Sequence, residues 1–224
     1  MRRVRDVPVR LFVMWLGDNA MSDDRRLAFK SMSENIKVPL EFITNQNLHE
    51  WILPNDPLPM CFSKMSLNHQ SDFLRAYFLH YYGGGYADIK HYSPDNNFSE
   101  MFDRINRDRN IEIIGERESP RWGLGVVPPV KVPDVLLACG WFIIRPFSTV
   151  SYELYRRIRL VVLQNASSVM ENPATETHGG KGYPIEYFSV FGRVFHPLMK
   201  EVSLKCPHVV CRDLHPGVLR KPYR

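Results

Sequence analysis

Charged side chains stand on both sides of an apolar run and a glycine triplet near the middle of the chain. Asp72 and Arg75 are three residues apart, so on a helix both project from the same side. Gly83-Gly84-Gly85 would end that helix, and a short following strand would carry Asp88 and Lys90 on one face. Carboxylates accept hydrogen bonds from hydroxyl groups, while a guanidinium donates to hydroxyl or phosphate oxygens. This layout is typical of a binding site, although a helix-dipole partner, a solvated arginine and a plain C-cap remain an alternative.

The elements around this stretch predict an α/β domain. Apolar residues at helical spacing before the glycines indicate a buried helix: Phe73, Leu74, Tyr77, Phe78 and Tyr81. Upstream, a strand at Val9–Leu16, a helix from Ser22 to about Asn35 and a strand at Pro39–Thr44 favour a nucleotide-binding half-domain. Further elements are predicted downstream: a helix within 95–110, strands at 111–115 and 136–144, and helices at 147–164 and 183–195.

Two irregular connections interrupt these elements. The proline-rich segment 45–66 is expected to lie over the site entrance, and segment 118–135 is expected to face an acceptor. Gly140, inside the predicted strand 136–144, marks either a bulge or a close ligand approach. Neither an internal repeat nor a domain boundary is visible, so residues 1–224 are predicted to form a single domain.

Composition limits the classes of function. The net charge of +5 and the isoelectric point near 9.0 suit an anionic ligand such as a nucleotide diphosphate, and are too mild to predict nucleic-acid binding. No apolar run reaches the length of a membrane span and no signal-peptide core follows the basic start, so a soluble cytoplasmic protein is expected. Cys206, His208, Cys211 and His215 have irregular spacing for a zinc site, which leaves that interpretation weak.

The central stretch resembles the donor-binding segment of GT-A-fold "DXD" sugar-binding glycosyltransferases, a group with mannosyltransferases, clostridial toxin glucosyltransferases and capsular-polysaccharide synthesis proteins. Their pattern is S-D-x-x-R, an apolar helix and Y-G-G-x-Y-x-D-x-D. The residues that match it in order and spacing are Ser71, Asp72, Arg75, Tyr82, Gly83, Gly84, Tyr86 and Asp88. Lys90 stands where the pattern has its second aspartate. The match covers only about a tenth of the chain, but its combined spacing is more specific than a lone D-x-D.

This resemblance implies a GT-A-like, Rossmann-type nucleotide-sugar-binding domain, with a mixed, mostly parallel central sheet flanked by helices. It implies transfer of a sugar from a UDP- or GDP-sugar to a hydroxyl of a glycan or glycoprotein acceptor, such as a capsular, surface or protein-linked oligosaccharide, in a microbial or viral setting. The catalytic residues it implies are Asp72, Arg75, Asp88 and Lys90. The implied donor-binding residues are Trp15, which would stack on the base, Ser71, Asp72, Arg75, Gly84, Asp88 and Lys90.

The lysine leaves the metal requirement of such an enzyme open. Related enzymes hold Mn²⁺ or Mg²⁺ with D-x-D to neutralise the leaving diphosphate, whereas Lys90 would repel a cation and could itself pair with the phosphates. The opposing interpretation keeps Mn²⁺ on Asp88 together with a late histidine, His196 or His215, or with Asp95.

The sequence leaves open whether sugar transfer inverts or retains configuration, and whether the protein is catalytic at all. An inverting mechanism needs a base, for which Asp134, Glu116, Glu186 and Asp213 are available, whereas a retaining mechanism, as in the families that the chain most resembles, needs none. Lys90 also suits a nucleotide-sugar-binding protein that has lost catalysis. A basic nucleic-acid-binding domain is a further alternative, for which the isoelectric point is the only support.

Overall fold

The computed structural model describes residues 4–118, 136–212 and 218–219. Its six helices are α1 (Asp23–Asn35), α2 (Leu67–Tyr81), α3 (Phe98–Arg107), α4 (Thr149–Gln164), α5 (Ala166–Glu171) and α6 (Gly192–Lys205). The eight strands found in these residues are β1 (Leu11–Trp15), β2 (Leu40–Thr44), β3 (Gly84–Ala87), β4 (His91–Tyr92), β5 (Ile113–Arg117), β6 (Leu137–Ile144), β7 (Val210–Cys211) and β8 (Val218–Leu219).

Six strands form a central sheet in the order β2-β1-β3-β6-β5-β7. β1 pairs parallel with β2 and β3, and β5 pairs parallel with β7. Only β6 runs against its neighbours, β3 and β5, so five of these six strands point the same way. The remaining two strands, β4 and β8, form a separate antiparallel pair. A mixed, mostly parallel sheet flanked by helices was predicted, and the structure confirms it.

The sheet is buried on both faces, which explains the continuous apolar run of β1. On one side Phe12 belongs to the same buried cluster as Phe73 and Phe78 of α2, and on the other Val13 belongs to the same cluster as Phe98 of α3. Serines cap α1 and α2: the Ser22 side chain accepts from the Arg25 amide, and the Ser66 side chain from the His69 amide. No helix among the described residues is long and apolar enough to cross a bilayer.

The three consecutive glycines do not all serve to end the helix, as was predicted. Only Gly83, with φ of +66°, ends α2, while Gly84 and Gly85 already belong to β3. A side chain at Gly85 would meet Leu11 at 2.4 Å, because β1 and β3 lie close there. The predicted strand 86–90 therefore ends at Ala87, and Asp88 and Lys90 follow it.

The predicted helix at 183–195 is wrong, because helix α6 begins at Gly192 and runs through Pro197. The apolar face of α6 is buried against β6, where Phe195 stacks on Phe142. Proline inside a helix removes one backbone hydrogen bond. Tertiary packing of this face outweighs that cost.

The middle of the proline-rich connection does not lie over the site, whereas its last residue, Ser66, caps the end of α2 that carries Asp72. Its Trp51 packs edge-on against Phe12, and its Asp56 carbonyl accepts a hydrogen bond from the Tyr77 hydroxyl in the second half of α2. This part of the connection thus covers the end of α2 that is remote from Asp72. The predicted acceptor-facing loop, 118–135, lies outside the described residues apart from Glu118.

Candidate functional site

The site residues meet where the parallel strands end. Asp88 and Lys90 follow the last residue of β3, and Asp72 and Arg75 come from the first half of α2, which runs back along the sheet. Ligands of open α/β sheets bind outside the carboxyl ends of the strands. The fold therefore brings the four predicted catalytic residues to the edge where a ligand is expected.

Arg75 is held rigidly at this edge. Its guanidinium is paired with the Asp72 carboxylate and donates from Nη1 to the Cys139 carbonyl at 3.0 Å. The guanidinium carbon lies 4.7 Å from the ring centre of Tyr86 and 4.1 Å from that of Phe191, so two aromatic rings fix its plane. Its buried Nε has no hydrogen-bond partner within the described part of the chain. Buried donors are normally satisfied, so Nε is a donor for which the surrounding fold supplies no acceptor.

Asp88 is bonded through both of its oxygens. The Tyr86 hydroxyl donates to Oδ1 at 2.8 Å, and Lys90 Nζ lies 3.0 Å from Oδ2. Burial raises the pKa of Asp88, but the charges of Lys90 and Arg75 and the Tyr86 hydrogen bond outweigh it, so the pKa is lowered. Asp88 is thus a carboxylate and is paired with Lys90, although neither residue belongs to the strand that was predicted to carry them.

The hydroxyl of Tyr86 links two of the predicted donor residues. The Ser71 side chain interacts with this hydroxyl, which in turn donates to Asp88. Burial and the nearby Asp88 charge raise the pKa of Tyr86, so the phenol stays protonated. Ser71 therefore reaches the site through Tyr86.

Gly140 makes space beside the Asp88–Lys90 pair. A Cβ added at Gly140 would lie 2.9 Å from Lys90 Nζ and 3.4 Å from Asp88 Oδ2, and the Gly140 carbonyl accepts from the Asp88 amide at 2.8 Å. The strand is also irregular here, because β6 advances five residues from Leu137 to Phe142 while β5 advances two from Arg117 to Gly115. The bulge that the sequence offered as one interpretation of Gly140 is thus present, and close approach of a ligand stays a prediction.

The bulge also places a group that the sequence did not single out. Cys139 Sγ lies 3.4 Å from Nε2 of His196, and this nitrogen lies 3.7 Å from a carboxylate oxygen of Glu118. Burial raises the pKa of the Cys139 thiol to about 12, so the sulfur is neutral. Residues from β6, α6 and the end of β5 form this cluster. Their distances along the sequence gave no signal of it.

Two other predicted residues stand apart from this cluster. Trp15 ends β1 at the same edge of the sheet, partly exposed, and its indole donates to the Asn19 carbonyl at 2.9 Å. Gly84 is the first residue of β3, at the opposite edge. Its φ is +104°, and a Cβ there would lie 2.9 Å from the Arg10 carbonyl. The structure therefore does not bring Gly84 to the other site residues.

The side chains present do not fit a bound metal ion. Both oxygens of Asp88 are engaged by Tyr86 and Lys90, His196 faces Cys139 and Glu118, and Asp95 is exposed. Within the described ranges, no group of three or more His, Cys, Asp or Glu residues could hold a metal, and this includes Cys206, His208 and Cys211. His215 lies outside the described residues.

The four proposed bases have different surroundings. Glu116 accepts a hydrogen bond from the Trp141 indole at 3.3 Å, and Glu186 is an exposed residue paired with Arg193. Asp134 and Asp213 lie outside the described residues.

The fold is similar to that of a solved structure. It is titled "PaToxG Glycosyltransferase", with 13% identity and a TM-score of 0.46, over 91% of this chain and 72% of that one. A likeness at this level does not assign an activity to this chain. No family model matches the sequence, and no curated protein matches it.

Proposed function

We propose that this chain is a glycosyltransferase that moves a sugar from a UDP- or GDP-sugar to a hydroxyl group of a glycan acceptor. The observation that carries the proposal is the paired cluster at the carboxyl edge of the sheet. There the ion pair Arg75–Asp72 lies beside the ion pair Lys90–Asp88, and Gly140 leaves space next to the second pair. The motif spacing in the sequence, which resembles a donor-binding segment, supports the same assignment.

The chemistry of the cluster suits a nucleotide sugar. Sugar transfer requires stabilisation of the charge that develops on the leaving diphosphate, and fixed cationic donors in a buried site provide it. Arg75 offers its unpartnered Nε from a plane held by two rings, and Lys90 offers an ammonium beside the Gly140 space. The Asp72 and Asp88 carboxylates can accept hydrogen bonds from sugar or ribose hydroxyls.

Lys90 partly or wholly replaces the metal in this proposal. A divalent cation at Asp88 would lie next to the positive charge of the Lys90 ammonium, which is 3.0 Å from Oδ2 and would repel it. The ammonium supplies positive charge at the position where the resembled enzymes have their second metal-binding aspartate. Lys90 and Arg75 then pair directly with the diphosphate oxygens.

Two further predicted residues have supporting roles in the proposal. The position of Trp15 at the end of β1 supports stacking on the nucleotide base, because that end faces the same edge as Asp88. Gly84 acts only through the backbone, since its positive φ allows the chain to enter β3 close to Arg10.

A thermal-stability panel tests the proposal without knowledge of the acceptor. UDP-glucose, UDP-N-acetylglucosamine, GDP-mannose and a CMP-sugar are each added with Mn²⁺ or with EDTA. A ligand that binds only the folded protein raises the unfolding midpoint by mass action. We expect one UDP- or GDP-sugar to raise it in EDTA as well as in Mn²⁺. No shift with any of them contradicts the proposal, and a shift only with Mn²⁺ contradicts the role of Lys90.

The ion pair between Lys90 and Asp88 also favours a second candidate, a nucleotide-sugar-binding protein without catalysis. Both candidates predict a stability shift, and only the enzyme releases the nucleoside diphosphate from the donor. Hydrolysis of the donor that gives the largest shift therefore separates the two.

A further inference from the structure

Asn68 lies in the first turn of α2, one turn before Asp72, and the function proposed above gives it no role. Its amide nitrogen donates to Oδ2 of Asp72 at 3.4 Å, which is at the long end of the range for such a bond. The other oxygen of Asp72, Oδ1, is paired with Arg75. Residues three and four apart on a helix are neighbours on its surface. Asn68, Asp72 and Arg75 therefore form one polar row along α2.

Asn68 is the most accessible member of this row. The side chain of Asp72 is 4% exposed and that of Arg75 is 10% exposed, whereas Asn68 is partly exposed. A neutral amide at 3.4 Å holds Oδ2 more weakly than the charged guanidinium holds Oδ1. Oδ2 is thus the Asp72 oxygen that a ligand hydroxyl can bind more easily, and a hydroxyl bound there lies next to Asn68.

The contact with Asp72 fixes the orientation of the Asn68 amide. A carboxylate that is paired with a guanidinium accepts hydrogen bonds and donates none, so the amide nitrogen, and not its oxygen, faces Asp72. Oδ1 is then on the other side of the amide group, and it accepts no hydrogen bond from the residues that the structure describes. A hydroxyl both donates and accepts. The amide therefore offers a ligand hydroxyl an acceptor oxygen and its second N–H.

The surroundings of Asn68 connect two parts of the proposed donor site. The preceding residue, Leu67, lies against the turn that follows β1, because a Cβ added at Gly17 would lie 2.6 Å from Cδ1 of Leu67. Trp15, proposed to stack on the nucleotide base, precedes this glycine by two residues. The backbone amide of Asn68 donates to the Thr177 carbonyl at 3.2 Å, which holds the start of α2 from a second side. The start of α2 thus adjoins both the turn after Trp15 and the carboxylate proposed to hold the sugar.

We propose that Asn68 is a specificity-determining residue for the transferred sugar, whose amide binds one ring hydroxyl while Asp72 binds the neighbouring hydroxyl. This inference rests on the glycosyltransferase function proposed above. The amide and the carboxylate are adjacent on the helix, as are the two hydroxyls of a vicinal diol on a sugar ring. A site built to hydrogen-bond a hydroxyl rejects an analogue that lacks it, because the polar groups of the site are then left unpaired. The donor sugar selected at this site therefore carries a vicinal diol.

The test measures donor binding by the full chain. The donor is the one that stabilises the protein most among UDP-glucose, UDP-N-acetylglucosamine and GDP-mannose. Calorimetric titration gives the dissociation constants of this donor, of analogues that each lack one sugar hydroxyl, and of the 2′-deoxyribose analogue. We expect Asn68→Ala to bind the complete donor about fivefold more weakly, the usual contribution of one neutral hydrogen bond. One deoxy-sugar analogue should bind the wild type about fivefold more weakly, and should bind Asn68→Ala as tightly as the complete donor does.

This lack of additivity identifies a direct contact, because removal of either partner abolishes the same hydrogen bond. Asp72→Asn, measured with the same analogues, identifies the hydroxyl that Asp72 binds, and Asn68 should couple to a different one. Asn68→Ala is expected to fold, since alanine is the most favourable residue in a helix. Asn165→Ala is the matched control. This asparagine at the end of α4 is also partly exposed, and its amide donates to the Val161 carbonyl. It should bind every donor as the wild type does.

The outcomes are distinguishable from failure of the proposed function. If the wild-type chain binds none of the three donors, the glycosyltransferase proposal fails and this inference falls with it. If the wild type binds a donor and Asn68→Ala binds it as tightly as Asn165→Ala, the specificity assignment alone is overturned. The assignment is also overturned if no deoxy-sugar analogue shows coupling to Asn68, or if only the ribose hydroxyl does. Coupling of Asn68 to the same hydroxyl as Asp72 overturns it too, because Asn68 then only orients the carboxylate.

Discussion

Two carboxylate–arginine clusters lie at opposite ends of α2, and they differ in how completely their polar atoms are bonded. At the far end, the Asp56 carboxylate accepts from the hydroxyls of Tyr81 and Tyr155 and pairs with Arg159 at 3.0 Å. At the near end, Arg75 is paired and stacked but keeps an unpartnered buried Nε within the described part of the chain.

The presence of a cavity does not show which of the two clusters binds a ligand. A cavity of about 440 Å³ lies next to Asp56, but the charged groups in its wall are already paired, Asp56 with Arg159 and Arg156 with Glu153. Buried polar groups that are fully bonded rigidify a fold, whereas a donor left unbonded is available for a ligand. We therefore interpret the Asp56 cluster as structural and the Arg75 cluster as functional.

The largest effect should follow from Arg75→Lys. Lysine keeps the charge but loses the planar fork and the stacking between Tyr86 and Phe191. We expect donor hydrolysis to fall by about 10²- to 10³-fold, as for loss of one donor to a developing anion. Release of nucleoside diphosphate measures it. Arg159→Lys is the matched control in the other cluster and should keep the rate within about twofold. Equal rates for the two variants would remove the distinction between the clusters.

Asp56→Ala should show the opposite behaviour. Two tyrosine hydroxyls and Arg159 lose their common acceptor in a largely enclosed cluster, so the free energy of unfolding should fall by about 3 kcal/mol. Urea unfolding measures this loss. The hydrolysis rate per folded molecule should not change, because the cluster is remote from the donor residues. A loss of stability below about 1 kcal/mol would show that water readily replaces Asp56 in this network.

Substitutions of Lys90 test whether its ammonium or a divalent metal ion compensates the charge of the diphosphate. Lys90→Ala should reduce hydrolysis in EDTA by about 10²-fold, because the ammonium no longer compensates the leaving diphosphate. Lys90→Asp creates the D-x-D spacing with Asp88 and should make the remaining activity dependent on added Mn²⁺. Rates in EDTA and in Mn²⁺ measure both effects. An unchanged rate of Lys90→Ala without metal would refute the proposed role of the lysine.

Gly140→Ala, next to Lys90, should have a smaller effect, on donor binding. The new methyl group would lie 2.9 Å from Lys90 Nζ and would push this flexible side chain away from Asp88. We expect about tenfold weaker donor binding, measured by titration, with a loss of stability below about 1.5 kcal/mol. Gly192→Ala is the control, since its Cβ would have ordinary contacts of 3.5 Å or more. Equal binding by both variants would show that the space beside Lys90 is not used.

The sequence predicted those features of the fold that depend on local patterns. Apolar periodicity and serine caps indicated α1, α2 and the first strands, and the three-residue step predicted the Asp72–Arg75 pair. The helix at 183–195 failed because packing on Phe142 favours a helix that contains Pro197. Such a preference depends on tertiary contacts, which a local pattern does not contain.

The candidate site was predictable where its residues are close in sequence. The charges of Asp72, Arg75, Asp88 and Lys90 stand within one helix, one turn and one strand end. Phe191 and the His196 contacts come from α6 and the segment before it, more than 100 residues later in the chain. Their approach depends on the bulge in β6, for which Gly140 was the only sign in the sequence.

The smallest effect concerns the pH dependence of the structural cluster. His80 stacks on Tyr155, and burial lowers its pKa from 6.5 to about 4. Between these two values the unfolded chain binds a proton that the folded chain excludes, so stability falls as the pH decreases from about 6.5 to about 4. His80→Gln should remove this contribution. Its unfolding midpoint should therefore fall less over this range than that of the wild type, while donor hydrolysis at neutral pH stays unchanged. His69, whose pKa is also lowered by burial, remains in both proteins, so the difference between them isolates His80. If the unfolding midpoints of the two proteins change equally with pH, the folded protein accommodates protonated His80 at no cost in stability. The cluster around Asp56 would then be less closed to solvent than its hydrogen bonds indicate.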